Sequence, residues 1–378
     1  LGGSLIYGEN AGGAFIGGVI DMGDGAGKST FNFNGTAPQI IEMGDPSDLR
    51  YSDIKVSNTS NATLGSNVST TNVTGGITVS VGAVFDDNAL SNVFIGDIVN
   101  SGTINAAGSI DLSGDFTNSG TFTSAGCDIN ISGDWNNTGT YTYFSGDNVT
   151  FDGAGTSTIT GATDWYELTA DKIGLTVTSG AQNIHGILDL DQGTFTSGGL
   201  VTLISDATST GQMDDIGTAT FSGDLTVQRR VAKTGQSLSS ITSPVEGTTL
   251  ANWQGNGVLF SGFPTSDFPT FPFVNCFEYD EPSHGSDKDD GWDEANGMTD
   301  ATGPDNNYRA HYVYMDAATF NLSVTGAPIT GPVTVPLDFN SSGNATQDGW
   351  NLIGNPYPCS IDFDEIYSSN LDNIIDGY

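Results

Sequence analysis

Asn100-Ser101-Gly102-Thr103-Ile104 returns as Asn118-Ser119-Gly120-Thr121-Phe122 and again as Asn137-Thr138-Gly139-Thr140-Tyr141, at offsets of eighteen and nineteen residues. Gly-Asp pairs keep step: Gly96-Asp97, Gly114-Asp115 and Gly133-Asp134, each followed by an apolar residue, Ile98, Phe116 or Trp135. Alternating apolar pairs fill the intervals, namely Ile110/Leu112, Ile129/Ile131 and Val149/Phe151. The period is too short for a pair of helices, and two-residue alternation is a strand pattern. The fold class is therefore all-β: a right-handed parallel β-helix, or solenoid, with one coil per repeat. Inward side chains stack on their equivalents about 4.8 Å away, and no coil buries its apolar face alone. The Asn/Ser/Gly/Thr clusters are expected to turn the corners, Gly through positive φ and Asn through left-handed backbone. Cys127 shares parity with Ile129 and Ile131 and is expected to point inward.

The chain has 378 residues, 52 of them Gly, with 9 Lys+Arg against 45 Asp+Glu and a net charge of −36. Hydrophobic content of 36% suits ordered cores, and a charged fraction of 14% argues against disorder. No Lys or Arg occurs between Lys55 and Lys172, so the solenoid lacks the cations that nucleic acids and anionic membranes require. No apolar run is long enough for a membrane span. Leu1-Gly2-Gly3-Ser4 reads as mid-coil sequence and Ile374–Tyr378 as part of a strand, so a piece of a longer secreted protein is expected.

Residues 1–228 are assigned to the solenoid, with roughly eleven coils and a length of about 50 Å. Phe33 and Phe151 stand 118 residues apart and suggest a duplicated block of coils. Periodicity breaks at Arg229 and Arg230, and 11 of the 13 prolines follow. Residues 229–378 read as a compact antiparallel β domain, sandwich-like and incomplete at its C-terminus. Its strands are expected at 310–315, 320–324, 333–337 and 350–353. Cys276 and Cys359 are left as a candidate disulfide.

Leu225-Thr226-Val227-Gln228-Arg229-Arg230, Ser243-Pro244-Val245 and Gly349-Trp350-Asn351-Leu352-Ile353-Gly354-Asn355-Pro356-Tyr357-Pro358 carry a family resemblance. Together they resemble large adhesin-like surface proteins that gliding and related bacteria export by the type IX secretion system. In that group such a segment follows a Gly/Thr-rich repeat region and precedes a C-terminal sorting domain, which this chain lacks. The resemblance implies passage through the type IX machinery and an extracellular place on the bacterial cell surface. It supplies no catalytic residues.

Candidate chemistry lies in three places. Gly23-Asp24-Gly25-Ala26-Gly27-Lys28-Ser29-Thr30 invites a phosphate-loop reading but has Met22 where the first Gly belongs, and the strand-like Phe31-Asn32-Phe33 follows. Asp287, Asp289, Asp290, Asp293, Asp300 and Asp305, with Asp280, Glu281 and Glu294 nearby, offer the hard oxygen ligands that Ca²⁺ takes; a solvated acidic loop is the alternative. Phe260, Phe263, Phe268, Phe271, Phe273 and Phe277, interleaved with Pro264, Pro269 and Pro272, form either domain core or a sugar-stacking face.

The reading that follows is a non-enzymatic surface rod, a stalk and adhesin for a surface glycan or substratum. Two alternatives stand beside it. One is a β-helix polysaccharide-degrading enzyme, either a lyase, which the lack of a basic residue between Lys55 and Lys172 weighs against, or a paired-carboxylate hydrolase using Asp115, Asp134 and Asp147; the other is secretion cargo held on the export machinery.

Overall fold

The structure, a computed structural model, describes residues 20–21, 30–43, 49–315 and 319–369. The phosphate-loop-like turn at 23–29 and the terminal stretch 374–378 lie outside the described residues. Among those residues the chain is nearly all β, with 6% helix, and forms a parallel β-solenoid followed by antiparallel sheets.

A regular coil contributes three short strands, such as Ile110–Leu112, Phe116–Asn118 and Thr121–Ser124. The next coil repeats them in parallel register at Ile129–Ile131, Trp135–Asn137 and Thr140–Thr142. Alternation puts Ile110 and Leu112 inside and Asp111 outside, and Ile110, Ile129 and Val149 stack as the repeat requires. Aromatic columns thicken the core where the coils are most alike. Phe116 lies on Trp135 at 4.0 Å between centroids, and Phe122 lies on Tyr141 at 5.6 Å. Cys127 is buried among them. The solenoid has about nine turns rather than eleven. Coils lengthen away from the regular stretch: register partners are 18 residues apart at Ile98/Phe116 but 23 at Thr30/Asp53 and 24 at Trp135/Ile159.

Corner glycines such as Gly126, Gly146, Gly161 and Gly180 take the expected positive φ, as does Asn88, but the asparagines of the regular repeat depart from expectation. Asn100, Asn118 and Asn137 do not adopt positive φ; their side chains turn inward and form a buried ladder. Asn100 Nδ2 donates to Asn118 Oδ1 at 2.8 Å, and Asn118 Nδ2 to Asn137 Oδ1 at 2.9 Å. Each amide also donates to a backbone carbonyl across the corner, Asn100 to Thr121 and Asn118 to Thr140. The glycines beside them answer to space. A Cβ at Gly120 would lie 2.1 Å from the Gly102 carbonyl oxygen, and one at Gly139 would lie 2.2 Å from that of Gly120.

The strand Glu167–Ser179 bends around a corner and fuses two faces of the solenoid. Its first part pairs with Asn148–Phe151 and its second with Thr156–Thr160, with register shifts between Ala170 and Gly174 in its pairing with the next coil. Phe33 and Phe151 belong to different faces, Thr30–Phe33 leading toward Thr156–Thr160 and Asn148–Phe151 leading back toward Asn92–Phe94. They are not equivalent positions, and the duplication suggested by their spacing is not present. Lys172 sits at the bend, 1% exposed, and donates to the Ser132 carbonyl at 2.6 Å and the Ser157 hydroxyl at 2.7 Å. Burial lowers its pKa, against the pull of Asp152 and Asp134.

Leu225–Ala232 joins the two architectures within one strand. Its first residues pair in parallel with Val201–Leu203 of the solenoid, and its whole length pairs antiparallel with Thr319–Gly326. Beyond it, a four-stranded antiparallel sheet runs in the order Ser237–Ile241, His311–Met315, Cys276–Tyr279, Trp292–Glu294. The strands expected at 333–337 and 350–353 are absent. Pro336 removes a donor from the first, and the second keeps a single bridge between Ile353 and Arg309. The chain then returns to the rod, where the Met213 amide donates to the Pro358 carbonyl at 3.1 Å and the Ser360 amide to Gln212 Oε1 at 2.8 Å.

Cys276 and Cys359 are not bonded to each other. Cys276 is fully buried in its sheet, whereas Cys359 lies partly exposed near Arg229 and Asp214 at the rod's end. Burial raises the pKa of all three thiols, and Cys359 alone is reachable. Alkylation of the native chain at pH 8 is expected to add one label, at Cys359, with Cys127 and Cys276 modified only in denaturant; intact-mass spectrometry counts the adducts. Asn118→Ala is expected to destabilise by about 1–3 kcal/mol in urea unfolding, because it removes the donor to Asn137 Oδ1 inside the corner.

Candidate functional site

The recurring carboxylates bind neighbouring coils. Asp97 Oδ1 accepts the Asp115 amide at 2.9 Å, Asp115 Oδ1 accepts the Asp134 amide at 2.8 Å, and Asp134 Oδ1 accepts the Thr158 amide at 2.7 Å. The Gly-Asp repeat is thus a hydrogen-bond ladder running along the outside of the rod. Asp147 lies apart, buried, with Oδ2 accepting the Phe144 amide at 2.6 Å within its own turn.

The acidic loop is arranged in the same manner. Asp287 accepts the Asp289 amide, Asp289 pairs with Lys288 at 3.1 Å, and Asp300 accepts the amides of Asn296 and Gly297. Asp305 accepts the amide of Gly247 from a distant turn, and Asp293 lies in the strand Trp292–Glu294 opposite Glu278. Asp290 is exposed in the short 3₁₀ turn Lys288–Gly291. Among the described residues no group of three or more His, Cys, Asp or Glu side chains is arranged to hold a metal ion, so the structure does not gather the six aspartates expected to bind Ca²⁺.

A buried ionic cluster that the sequence reading passed over lies next to this loop. His284 is fully buried, with Nε2 at 3.4 Å from Glu281 Oε1 and 3.7 Å from Asp348 Oδ1. Its Nδ1 stands 2.8 Å from the Gly285 carbonyl and donates to it. A neutral ring would then aim the Nε2 lone pair at two carboxylates, so the cluster calls for the imidazolium. Burial lowers the His284 pKa, but the Gly285 carbonyl and the charges of Glu281 and Asp348 outweigh it and the net shift is upward. Glu281 Oε1 also accepts the amides of Asn340 (2.6 Å) and Gly349 (2.8 Å), and Asp348 accepts both the amide and hydroxyl of Ser342. The proton on His284 therefore sits at the point where the 338–349 segment is fastened to the turn Glu281–Ser283. The legible signal was the i,i+3 spacing of Glu281 and His284.

The six phenylalanines divide between the two roles weighed for them. Phe260 and Phe263 are core, and Phe277 is half-buried. Phe268, Phe271 and Phe273 are more than half exposed, Phe273 at 70%. With Leu238, Leu259 and Tyr314 they line a hollow of about 680 Å³, mostly apolar, against the face of the sheet where Leu238 and Tyr314 pair. Asn275 braces its wall, taking the Ser261 amide and donating to the carbonyls of Leu259 and Tyr314. Three exposed phenylalanine rings around one hollow exceed the scattered apolar exposure usual on a folded domain.

The ionic cluster gives a pH dependence whose sign is fixed. A histidine with a raised folded-state pKa contributes stability that is fully present below its unfolded value of about 6.5 and is lost as pH rises through the folded value. The melting temperature is expected to fall from about pH 6.5 upward, and His284→Gln is expected to remove that component. Scanning calorimetry on both proteins across this range is the measurement.

Residues 194–378 match the family model of a domain of unknown function (DUF8693). The matched span begins in the solenoid strand Ile187–Thr196 and runs through the junction, so it covers the end of the rod together with the antiparallel sheets and the aromatic hollow. No curated protein and no solved structure matches the chain.

Proposed function

We propose that the chain is a non-enzymatic stalk and adhesin of a bacterial cell surface, exported by a type IX secretion system. The solenoid holds the antiparallel domain away from the cell, and the aromatic hollow makes the contact with a surface glycan or substratum. The observation that carries this reading is a division of labour among side chains. The recurring Asp and Asn residues of the rod bind coil to coil, while the domain at its end turns Phe268, Phe271 and Phe273 to solvent. The resemblance at Leu225–Arg230 and Gly349–Pro358 supports the export route. In the fold these segments join the rod to the terminal domain, which accounts for their presence without any catalytic role. No helix among the described residues is long and apolar enough to cross a membrane.

The test is retention of the purified chain on immobilised bacterial surface polysaccharide and on an apolar substratum. The double variant Phe271→Ser/Phe273→Ser is expected to lose retention with its melting temperature unchanged, since both rings are exposed. Retention equal to that of the unmodified chain would remove the hollow from the contact. Polysaccharide cleavage abolished by Asp115→Asn or Asp134→Asn would replace the adhesin with a hydrolase.

A further inference from the structure

Further along the same face of the four-stranded sheet, at the Tyr279–Trp292 pair, the antiparallel domain has a second and smaller recess. It measures about 210 Å³, and Tyr279, Lys288, Asp289 and Trp292 line it from one segment and Trp350, Asn351 and Leu352 from another. Its walls come from two segments far apart in sequence. Trp292 is held from behind, stacked on Tyr312 at 5.2 Å and 20° and set edge-on to Tyr279 at 5.2 Å and 81°. Trp350 stands 43% exposed, its indole N–H directed to the Thr346 carbonyl at 3.4 Å. The segments are tied together by the Lys288 amide on Gln347 Oε1 at 2.9 Å and by Glu281, whose carboxylate accepts the Gly349 amide next to Trp350. Asn351 is itself fixed by two hydrogen bonds to the Asp338 backbone, of 3.0 and 2.9 Å. The recess is thus built in advance, with its indoles positioned before any ligand arrives.

We propose that this recess is a carbohydrate subsite that takes one neutral pyranose ring. A recess below the usual range for drug-sized ligands fits one ring rather than a chain. The apolar C–H face of a pyranose suits an indole, and its hydroxyls suit the exposed Asp289 carboxylate and the Lys288 ammonium. Charge selects the neutral class. Lys288 and Asp289 pair at 3.1 Å, and Lys288 Nζ, 5.7 Å from the Trp350 ring centroid, already supplies a cation to one face of the indole, so a second cation beside it would meet like charge whereas a neutral ring on the other face would not. The net charge of −36 disfavours an acidic sugar. The subsite is separate from the phenylalanine hollow and stands or falls independently of the stalk reading.

Saturation-transfer NMR on the full chain decides the matter, with the methyl pyranosides of glucose, galactose and mannose as probes and choline as the cationic comparison. Saturation is expected on ring C–H protons of at least one pyranoside. Trp350→Ala should weaken that binding about tenfold or more, Trp350→Phe should restore part of it, and the melting temperature should hold. Asp289→Ala, on an exposed side chain, should weaken binding without touching the aromatic wall. Absence of transfer to every pyranoside, transfer unchanged in Trp350→Ala and Asp289→Ala, or Trp350-dependent binding of choline alone would each overturn the proposal. Loss of retention in Phe271→Ser/Phe273→Ser with pyranoside binding intact would separate this site from the adhesive hollow.

Discussion

The structure depends on the buried amide ladder of Asn100, Asn118 and Asn137. An amide carries both a donor and an acceptor, so identical residues can satisfy one another without a change of chemistry from coil to coil. Hydrophobic stacking alone tolerates small slips. The ladder does not, since a coil displaced by one residue would leave unpaired amides inside the corner. Close approach at Gly120 and Gly139 follows from the same constraint, because coils locked at this spacing leave no room for a Cβ. The outer Asp97–Asp115–Asp134 ladder repeats the logic with carboxylate and backbone amide at the solvent side.

Where the repeat decays, other polar groups take over. Asn137 donates to the Thr163 hydroxyl and the Ala162 carbonyl, and further along Gln182 donates to the carbonyls of Gly161 and Gly180 while accepting the Trp165 indole N–H. Lys172 performs a related task at the bend in Glu167–Ser179, reaching two earlier coils with one ammonium. These substitutions let the coil length vary without leaving the corners unsatisfied.

The solenoid was legible in the sequence because its period is written in residue identity. Asn, Gly, Asp and the apolar pairs recur in step, and strand alternation gives the inward face directly. The reasons for those identities were less legible. Positive φ explains corner residues such as Gly126, Gly146 and Asn88, whereas the amide pairing of Asn100, Asn118 and Asn137 and the close approach at Gly120 and Gly139 are relations between coils that no single coil displays. The duplicated block failed for a similar reason: Phe33 and Phe151 match in local sequence but lie on different faces, and only the path through Glu167–Ser179 shows it. In the second domain the pattern was weaker still. The cluster of His284, Glu281 and Asp348 joins residues some sixty positions apart, and the recess between Trp292 and Trp350 brings together two segments that nothing in their spacing connects. In the acidic loop, density of carboxylates along the chain says nothing by itself of their convergence in space.

The strand Leu225–Ala232 is at once the last rung of the rod and the first element of the terminal domain, paired across eight residues with Thr319–Gly326. A tether made of loop would let the domain swivel and would fail at a single backbone segment. Here a pull on the domain is carried into the sheet itself, shared among the hydrogen bonds of the splice and backed by the return contacts at Met213 and Gln212. Mechanically the terminal domain is not a bead on a string, since any tension it meets is passed to the final coil.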